Sequence, residues 1–142
     1  MKNTWHEAER WLNQGRNDLE FVEWLYQEQR FFDKGCFLAQ QSAEKLLKAC
    51  LYATGQRKVF GHSLFEFAQK LQDFDAMFSD ILDACRRLDR YYISARYPNG
   101  LPGGSPFQMY TQEDLNEAWE DLNAIHRTVS GWINAEEPSG TE

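Results

Sequence analysis

The sequence is poor in cysteine, and its three cysteines form no recognisable pattern. An odd count without framework spacing argues against a disulfide scaffold. There is no CxxC motif and no Cys/His cluster, so neither a structural zinc site nor another metal site is expected. Cys36, Cys50 and Cys85 each fall on an apolar helical stripe, where a free thiol behaves as a small hydrophobe. We therefore expect three buried free thiols, no cofactor and a reducing, cytoplasmic location.

Several catalytic and membrane signatures are also missing. The sequence has no GxSxG, HExxH, P-loop or GxGxxG motif, and no Glu-x-x-His pair of the kind that di-iron bundles need. No apolar run approaches the length of about 18 residues that would span a membrane. The first residues include acids and no apolar core, so a signal peptide is not expected.

Basic residues are fewer than acidic ones: the sequence has 15 Lys and Arg and 22 Asp and Glu, which gives a net charge of −7. Contacts to phosphate dominate the non-specific affinity of proteins for nucleic acids. An acidic domain is therefore a poor general nucleic-acid binder. Any site for an anionic ligand must be a local concentration of cations.

Proline is rare outside one stretch, RYPNGLPGGSP at 96–106, which holds three of the four prolines and cannot continue a helix. Elsewhere apolar residues recur every three or four positions, which predicts helices at about 5–27, 34–54, 63–74, 76–95 and 111–135. We predict an all-α domain over residues 1–135, an up-and-down bundle of about five helices. A polar tail at 136–142 follows.

Three positions carry signals for helix ends. Gly55 follows the second segment and is a plausible left-handed residue just after its C-terminus. Ser63, with Glu66 three residues later, has the pattern of a capping box. Thr111 and Asp114 repeat that arrangement before the last helix.

A polar set lies on the second helix beside its apolar arc. Gln40 and Glu44 are one turn apart at the edge of the core, and the neighbouring face carries three more polar side chains: Gln41, Lys45 and Lys48. A polar side chain at a core margin usually finds a partner within the bundle or across a dimer interface. The alternative is a solvated face with pairs one turn apart, such as Gln41 with Lys45.

Arg96 stands where the fourth helix ends, with Tyr92 one turn before it and Tyr97 after it. An arginine in this position can clamp a phosphate or bridge the last carbonyls of the helix. The two tyrosines can stack on a base or simply pack. The alternative is a helix cap followed by a rigid turn.

His62 directly precedes the cap of the third helix, and Arg57 lies five residues before it. A histidine in this position could act as a general base or contact a phosphate. It could equally hold the loop through a hydrogen bond of its ring.

Together these features resemble the HEPN family (higher eukaryotes and prokaryotes nucleotide-binding domains). The resemblance extends over about residues 5 to 133, in the right order. It rests on four stretches: Ala8-x-x-Trp11-Leu12, the CFLAQQxAEKxLKA run at 36–49, His62-Ser63-Leu64, and Tyr92-x-x-x-Arg96-Tyr97-Pro98.

The resemblance implies a helical bundle that pairs into a homodimer. It also implies either nucleotide binding or partnership with a separately encoded minimal nucleotidyltransferase, as in toxin–antitoxin pairs. Many relatives are ribonuclease toxins with an Arg-x(4–6)-His motif brought together across the dimer. Here Arg57-x4-His62 has that count, but it lies before the third helix. No histidine follows Arg96, and Leu64 replaces the tyrosine of nucleotide-modified toxins.

Three functions remain open at this stage. The first is a nucleotide- or phosphate-binding homodimer that acts with a nucleotidyltransferase, with a ligand site formed by Gln41, Glu44, Lys45, Lys48, His62, Tyr92, Arg96 and Tyr97. The second is a metal-independent ribonuclease that uses Arg57 and His62, for which RNA would be the substrate. The third is a structural dimerisation domain. Aromatic residues off the helical stripes, namely Trp24, Phe31 and Phe37, suggest a partner surface in each case.

Overall fold

The computed structural model describes residues 2–138 of the chain. Its α-helices are α1 (Lys2–Glu28), α2 (Phe32–Ala53), α3 (Leu64–Leu71), α4 (Leu82–Asp89), α5 (Tyr91–Ser94), α6 (Pro106–Met109) and α7 (Gln112–Glu136). Two 3₁₀ helices, Ala76–Ile81 and Pro98–Gly100, lie between them. This described range contains no β-strand, so the all-α prediction is confirmed.

Helix α2 is the centre of the bundle. It packs against α1 on one side and against α7 on another, while α3, α4 and α5 cover the rest. Because neighbours surround it, 15 of its 22 residues are buried. This burial includes polar side chains that a helical projection places at the edge of the core.

Helices α1 and α2 pack closely at Gly15. A Cβ atom added there would lie 3.2 Å from the backbone nitrogen of Leu46, which is tighter than most real contacts. The hydroxyl of buried Ser42 donates a 2.7 Å hydrogen bond to the Gly15 carbonyl oxygen. A glycine within a helix normally costs about 1 kcal/mol relative to alanine, and here it allows this close contact.

The predicted helix ends are confirmed. Gly55 has a φ of +105°, and its amide donates to the Tyr52 carbonyl at the end of α2. The Ser63 hydroxyl accepts from the Glu66 amide at the start of α3. Thr111 and Asp114 form a reciprocal capping box at the start of α7.

The fourth predicted segment is wrong in detail, because 76–95 is not one continuous helix. Asp75 caps a 3₁₀ helix, which has three residues per turn. Phe78 and Ile81, three residues apart, therefore lie on the same face, and both are buried in the core. Helices α4 and α5 follow as separate pieces. The proline-rich segment after Arg96 does not continue the helix, as predicted, but Pro98 and Pro106 each begin a short helix of their own.

The three cysteines are free and fully buried, which confirms that prediction. Burial raises the pKa of all three thiols. The polar tail begins after α7 ends at Glu136, and its residues 139–142 lie outside the described range. None of the helices described here has a stretch that is both long and apolar enough to cross a membrane.

Candidate functional site

The Arg96 side chain lies just beyond the end of α5, surrounded by aromatic rings. Its Nε donates a 2.7 Å hydrogen bond to the Tyr92 carbonyl, one turn back. Its Cζ lies 4.5 Å from the ring centroid of Phe37, 4.6 Å from that of Tyr92 and 5.0 Å from that of Tyr97. We call Phe37, His62, Tyr92, Arg96 and Tyr97 the Arg96 cluster.

No carboxylate forms an ion pair with Arg96 anywhere in residues 2–138, although the side chain is partly buried. Other cations that are buried or partly buried do form ion pairs: Lys45 with Asp18, Lys48 with Glu44, and Arg87 with Asp121. Cation–π contacts and one carbonyl therefore hold the guanidinium, and they leave its positive charge uncompensated by an acid.

His62 joins the cluster from the loop before α3. Its ring stacks on Tyr92, with the centroids 4.7 Å apart and an angle of 20° between the planes. The Gln40 amide donates to the His62 carbonyl at 2.9 Å, which fixes the backbone. The next turn is held by Asp89 at the end of α4, whose carboxylate accepts from the amides of Leu64 and Phe65.

The side chain of His62 is 56% exposed, but one edge of its ring reaches a buried carboxylate. Its Nδ1 lies 3.2 Å and 3.3 Å from the two carboxylate oxygens of Glu44. Glu44 also accepts from Lys48 Nζ at 3.0 Å and from Gln41 Nε2 at 3.4 Å. A chain of polar contacts therefore leads from the interior of α2 to the surface at His62.

Lys48 is the most deeply buried cation in this chain of contacts, with a side chain that is 7% exposed. Its Nζ lies 5.2 Å from the ring centroid of Trp11 in α1 and 5.7 Å from that of Phe67 in α3. Tyr52 stacks on the same Trp11 ring, at 5.9 Å between centroids. Lys48 is thus connected to the Arg96 cluster through Glu44, which contacts both Lys48 and His62.

Lys45 lies on the α1 side of α2 and contacts Asp18 at 2.5 Å. Together with Trp11, Arg10 and other α1 residues it lines a shallow groove of about 550 Å³. Arg10 pairs with Glu7 in this groove, as Lys45 does with Asp18, so the opposite charges there are already matched. The groove therefore has little to attract an anion.

Arg57 is exposed in the loop that follows α2. Across residues 2–138 it forms no recorded hydrogen bond or ion pair with His62. The structure thus links six of the predicted site residues through a series of contacts: Gln41, Glu44, His62, Tyr92, Arg96 and Tyr97. It adds Lys48 behind Glu44, and it separates Lys45 and Arg57 from them.

Sequence reasoning missed Phe37 as a site residue, because on α2 it counted as an exposed aromatic. The available signal was spacing. Phe37, Gln41, Glu44 and Lys48 recur every three or four residues and so define one face of α2. Asp89 was also missed. Burial raises its pKa, although hydrogen bonds from the amides of Leu64 and Phe65 act in the opposite direction.

Comparison with known proteins identifies the class of this helical bundle. The model of the HEPN domain matches residues 8–132, which is most of the chain. The chain belongs to the HEPN family.

Two solved structures are similar to it. TT1696 from Thermus thermophilus is 34% identical, with a TM-score of 0.79 over 87% of this chain and 96% of that one. ST0689, an archaeal HEPN homologue, is 32% identical, with a TM-score of 0.72 over 89% of this chain and 97% of that one. A search of the curated proteins finds no match.

Proposed function

We propose that this HEPN domain binds a nucleotide or another phosphate-bearing ligand at the Arg96 cluster. In this proposal it works as a homodimer with a minimal nucleotidyltransferase, in a pair of the toxin–antitoxin type. The observation that carries the proposal is the state of Arg96. Its guanidinium is fixed by three rings and a carbonyl, and no acid in residues 2–138 neutralises it.

Such an arginine is suited to a phosphate. A guanidinium has five N–H donors, and within residues 2–138 Arg96 uses only Nε, which donates to the Tyr92 carbonyl. The remaining donors can bind two phosphate oxygens in a fork geometry. Tyr97 is 50% exposed beside it, and a base can stack on an exposed ring. Because the domain has a net charge of −7, most of its surface repels a nucleotide. The positive charge of Arg96 therefore favours binding at the Arg96 cluster.

Calorimetric titration with ATP and GTP tests the proposal. Each charge-assisted hydrogen bond contributes roughly 1.5–3 kcal/mol, so Arg96→Ala should weaken binding about ten- to hundredfold. The matched control is Arg127→Ala, because Arg127 is an exposed arginine of α7 away from the cluster. That variant should retain the affinity of the unmodified protein.

A melting curve of Arg96→Ala separates ligand binding from a structural role. A lower melting temperature with unchanged nucleotide affinity would remove Arg96 from the site. If neither nucleotide binds the unmodified protein at millimolar concentration, the proposed function is wrong.

The ribonuclease that would use Arg57 and His62 is less well supported, because Arg57 is exposed and forms no hydrogen bond or ion pair with His62 in residues 2–138. The pairing of His62 with Glu44 is nevertheless compatible with a role in acid–base chemistry. Incubation of the unmodified protein and of His62→Ala with total RNA distinguishes these functions. Cleavage that the variant loses would favour the ribonuclease.

A further inference from the structure

The pair of Lys48 and Glu44 is buried in the bundle, with side chains that are 7% and 8% exposed. Removing two charges from water carries a desolvation penalty that their attraction often fails to repay. An apolar pair of similar size would fill the space between Trp11 and Phe67 without that penalty. Glu44 of this pair also contacts His62, whose side chain is about half exposed. The charges of the pair therefore act on the imidazole.

The hydrogen bonds around Glu44 determine which nitrogen of His62 carries the proton. The Lys48 ammonium and the Gln41 amide both donate to Glu44, so its oxygens act as acceptors. His62 Nδ1 lies against the same oxygens and must be the donor in that contact. In the neutral imidazole the other nitrogen, Nε2, is then an acceptor. Nε2 forms no hydrogen bond with any other residue in 2–138.

We propose that Lys48 and Glu44 are positioning residues that hold His62 with Nε2 available as the proton-accepting group of the Arg96 cluster. The ligand would be a phosphate monoester or diphosphate that contacts Arg96 through one oxygen and His62 through another. This inference rests on the proposed function and adds a second anchor to the site. His62 and Arg96 both lie against the Tyr92 ring, so one small ligand can reach both.

Binding at this subsite takes up a proton. A phosphate oxygen next to Nε2 needs a donor, so the bound imidazole acquires a proton from solvent and becomes an imidazolium. The new positive charge then lies between the phosphate and the Glu44 carboxylate, and both stabilise it. Because one proton is taken up with each ligand, affinity should fall by up to about tenfold for each pH unit between pH 7 and 8.5.

The groups that face His62 come from three elements. Helix α2 contributes Glu44, with Lys48 behind it. Helix α5 and its end contribute the Tyr92 ring and, on the same ring, Arg96. The end of α4 contributes Asp89, which binds the residues that follow His62. Of these, only Glu44 contacts the imidazole nitrogen directly.

The first experiment needs no ligand. Long-range ¹H–¹⁵N spectra of the labelled protein at pH 8 report which imidazole nitrogen is protonated. We expect the Nδ1–H form for His62, and a mixture of both forms in Glu44→Gln, while exposed His6 is the same in both proteins. The Nε2–H form in the unmodified protein would overturn the inference, so the result does not depend on whether the variant folds.

The second experiment is calorimetry with ADP and with AMP at pH 8, where the phosphate groups of both ligands have lost their last proton, in two buffers of different ionisation enthalpy. The difference between the buffers gives the number of protons taken up on binding. We expect about one proton per ligand for the unmodified protein and for the control His6→Gln, and none for His62→Gln. The affinity of His62→Gln should also be nearly independent of pH from 7 to 8.5.

The outcomes separate this inference from the proposed function. Binding that depends on Arg96 but takes up no proton would overturn the His62 subsite and leave the proposed function intact. Absence of binding by both probes would overturn this subsite, and only together with absence of ATP and GTP binding would it overturn the proposed function as well. Equal proton uptake by the unmodified protein and His62→Gln would assign the proton to another group and also overturn the inference.

Discussion

His126 illustrates how one residue can make the fold sensitive to pH. It lies in the contact between α1 and α7, where Arg16 Nε donates a hydrogen bond to its Nε2 at 3.2 Å. A second Arg16 nitrogen donates to Ser130 at 2.9 Å. Burial and the nearby positive charge of Arg16 lower the pKa of His126 from its ordinary value of 6.5. The native contact therefore requires a neutral imidazole.

We predict that His126 destabilises the fold at mildly acidic pH. In the unfolded chain it takes up a proton near pH 6.5, whereas in the folded protein it does so only at lower pH. Since the unfolded state then binds more protons, stability should be lost as the pH falls from about 6.5 towards the lowered folded-state pKa. Urea unfolding at pH 7.5 and 5.5 measures the loss, which should be smaller in His126→Gln.

The control for that measurement is His6→Gln, because His6 is exposed on α1. It should show the same pH dependence as the unmodified protein. An equal loss of stability in His126→Gln and in the unmodified protein would assign the effect to other groups.

Single residues also mark the limit of sequence-based prediction. Arg96 with Tyr92 and Tyr97 could be found from the sequence, because they are close along the chain at a helix end. The position of Lys48 could not be found in that way. A helical projection puts it beside the apolar arc, but Trp11 and Phe67 come from distant segments and cover it. Contacts between residues far apart in sequence decided its burial.

At the scale of elements, close packing of α2 on its neighbours depends on small residues. A Cβ atom added at Gly35 would lie 2.5 Å from Cδ1 of Leu115, a fully buried residue of α7. Real Cβ atoms essentially never come that close to another atom, so the buried Leu115 side chain would have to move or the two helices would have to separate. Gly35 therefore leaves room for the Leu115 side chain between these two helices.

We predict that Gly35→Ala lowers the free energy of unfolding by about 1–3 kcal/mol, the usual effect of overpacking a core. The matched control is Gly131→Ala in α7, where the nearest atom to an added Cβ is 3.8 Å away. Because alanine favours a helix more than glycine does, that variant should gain up to about 1 kcal/mol. Urea unfolding followed by circular dichroism measures both changes, and equal effects would contradict the prediction.

Helix ends were easier to predict than helix continuity. Ser63 and Thr111 accept hydrogen bonds from amides three residues later, so the signal and its structural effect are both local. The break into a 3₁₀ helix, α4 and α5 gives no such signal. It depends on how Phe78 and Ile81 fit against other elements, including Trp132 of α7, whose ring contacts Phe78.

At the scale of the whole molecule, exposed aromatic and apolar side chains stand out on an acidic surface. Phe21 and Trp24 stack in parallel on α1, and each is 49% exposed, as is Phe31 in the turn before α2. Phe107 and Met109 of α6 are also exposed. Exposed apolar residues in such numbers are typical of proteins with a partner surface.

We predict that the protein is a homodimer at micromolar concentration, with Trp24 in the interface. Light scattering should give twice the chain mass of 16.7 kDa. Trp24→Ser should shift the protein towards the monomer without loss of helical signal, because Trp24 is outside the core. Phe74→Ser changes another exposed aromatic and is the control. A monomer for the unmodified protein would contradict the prediction.

The buried cysteines make it possible to follow how separate parts of the bundle open. Cys36 and Cys50 lie in the central helix, whereas Cys85 lies in the short α4. A thiol reagent reaches each sulfur only when its helix moves away from its neighbours. Labelling rates at the three sites therefore report local opening at both ends of α2 and in α4, without any engineered probe. Slower labelling of α2 than of α4 would identify the central helix as the last part of the bundle to open.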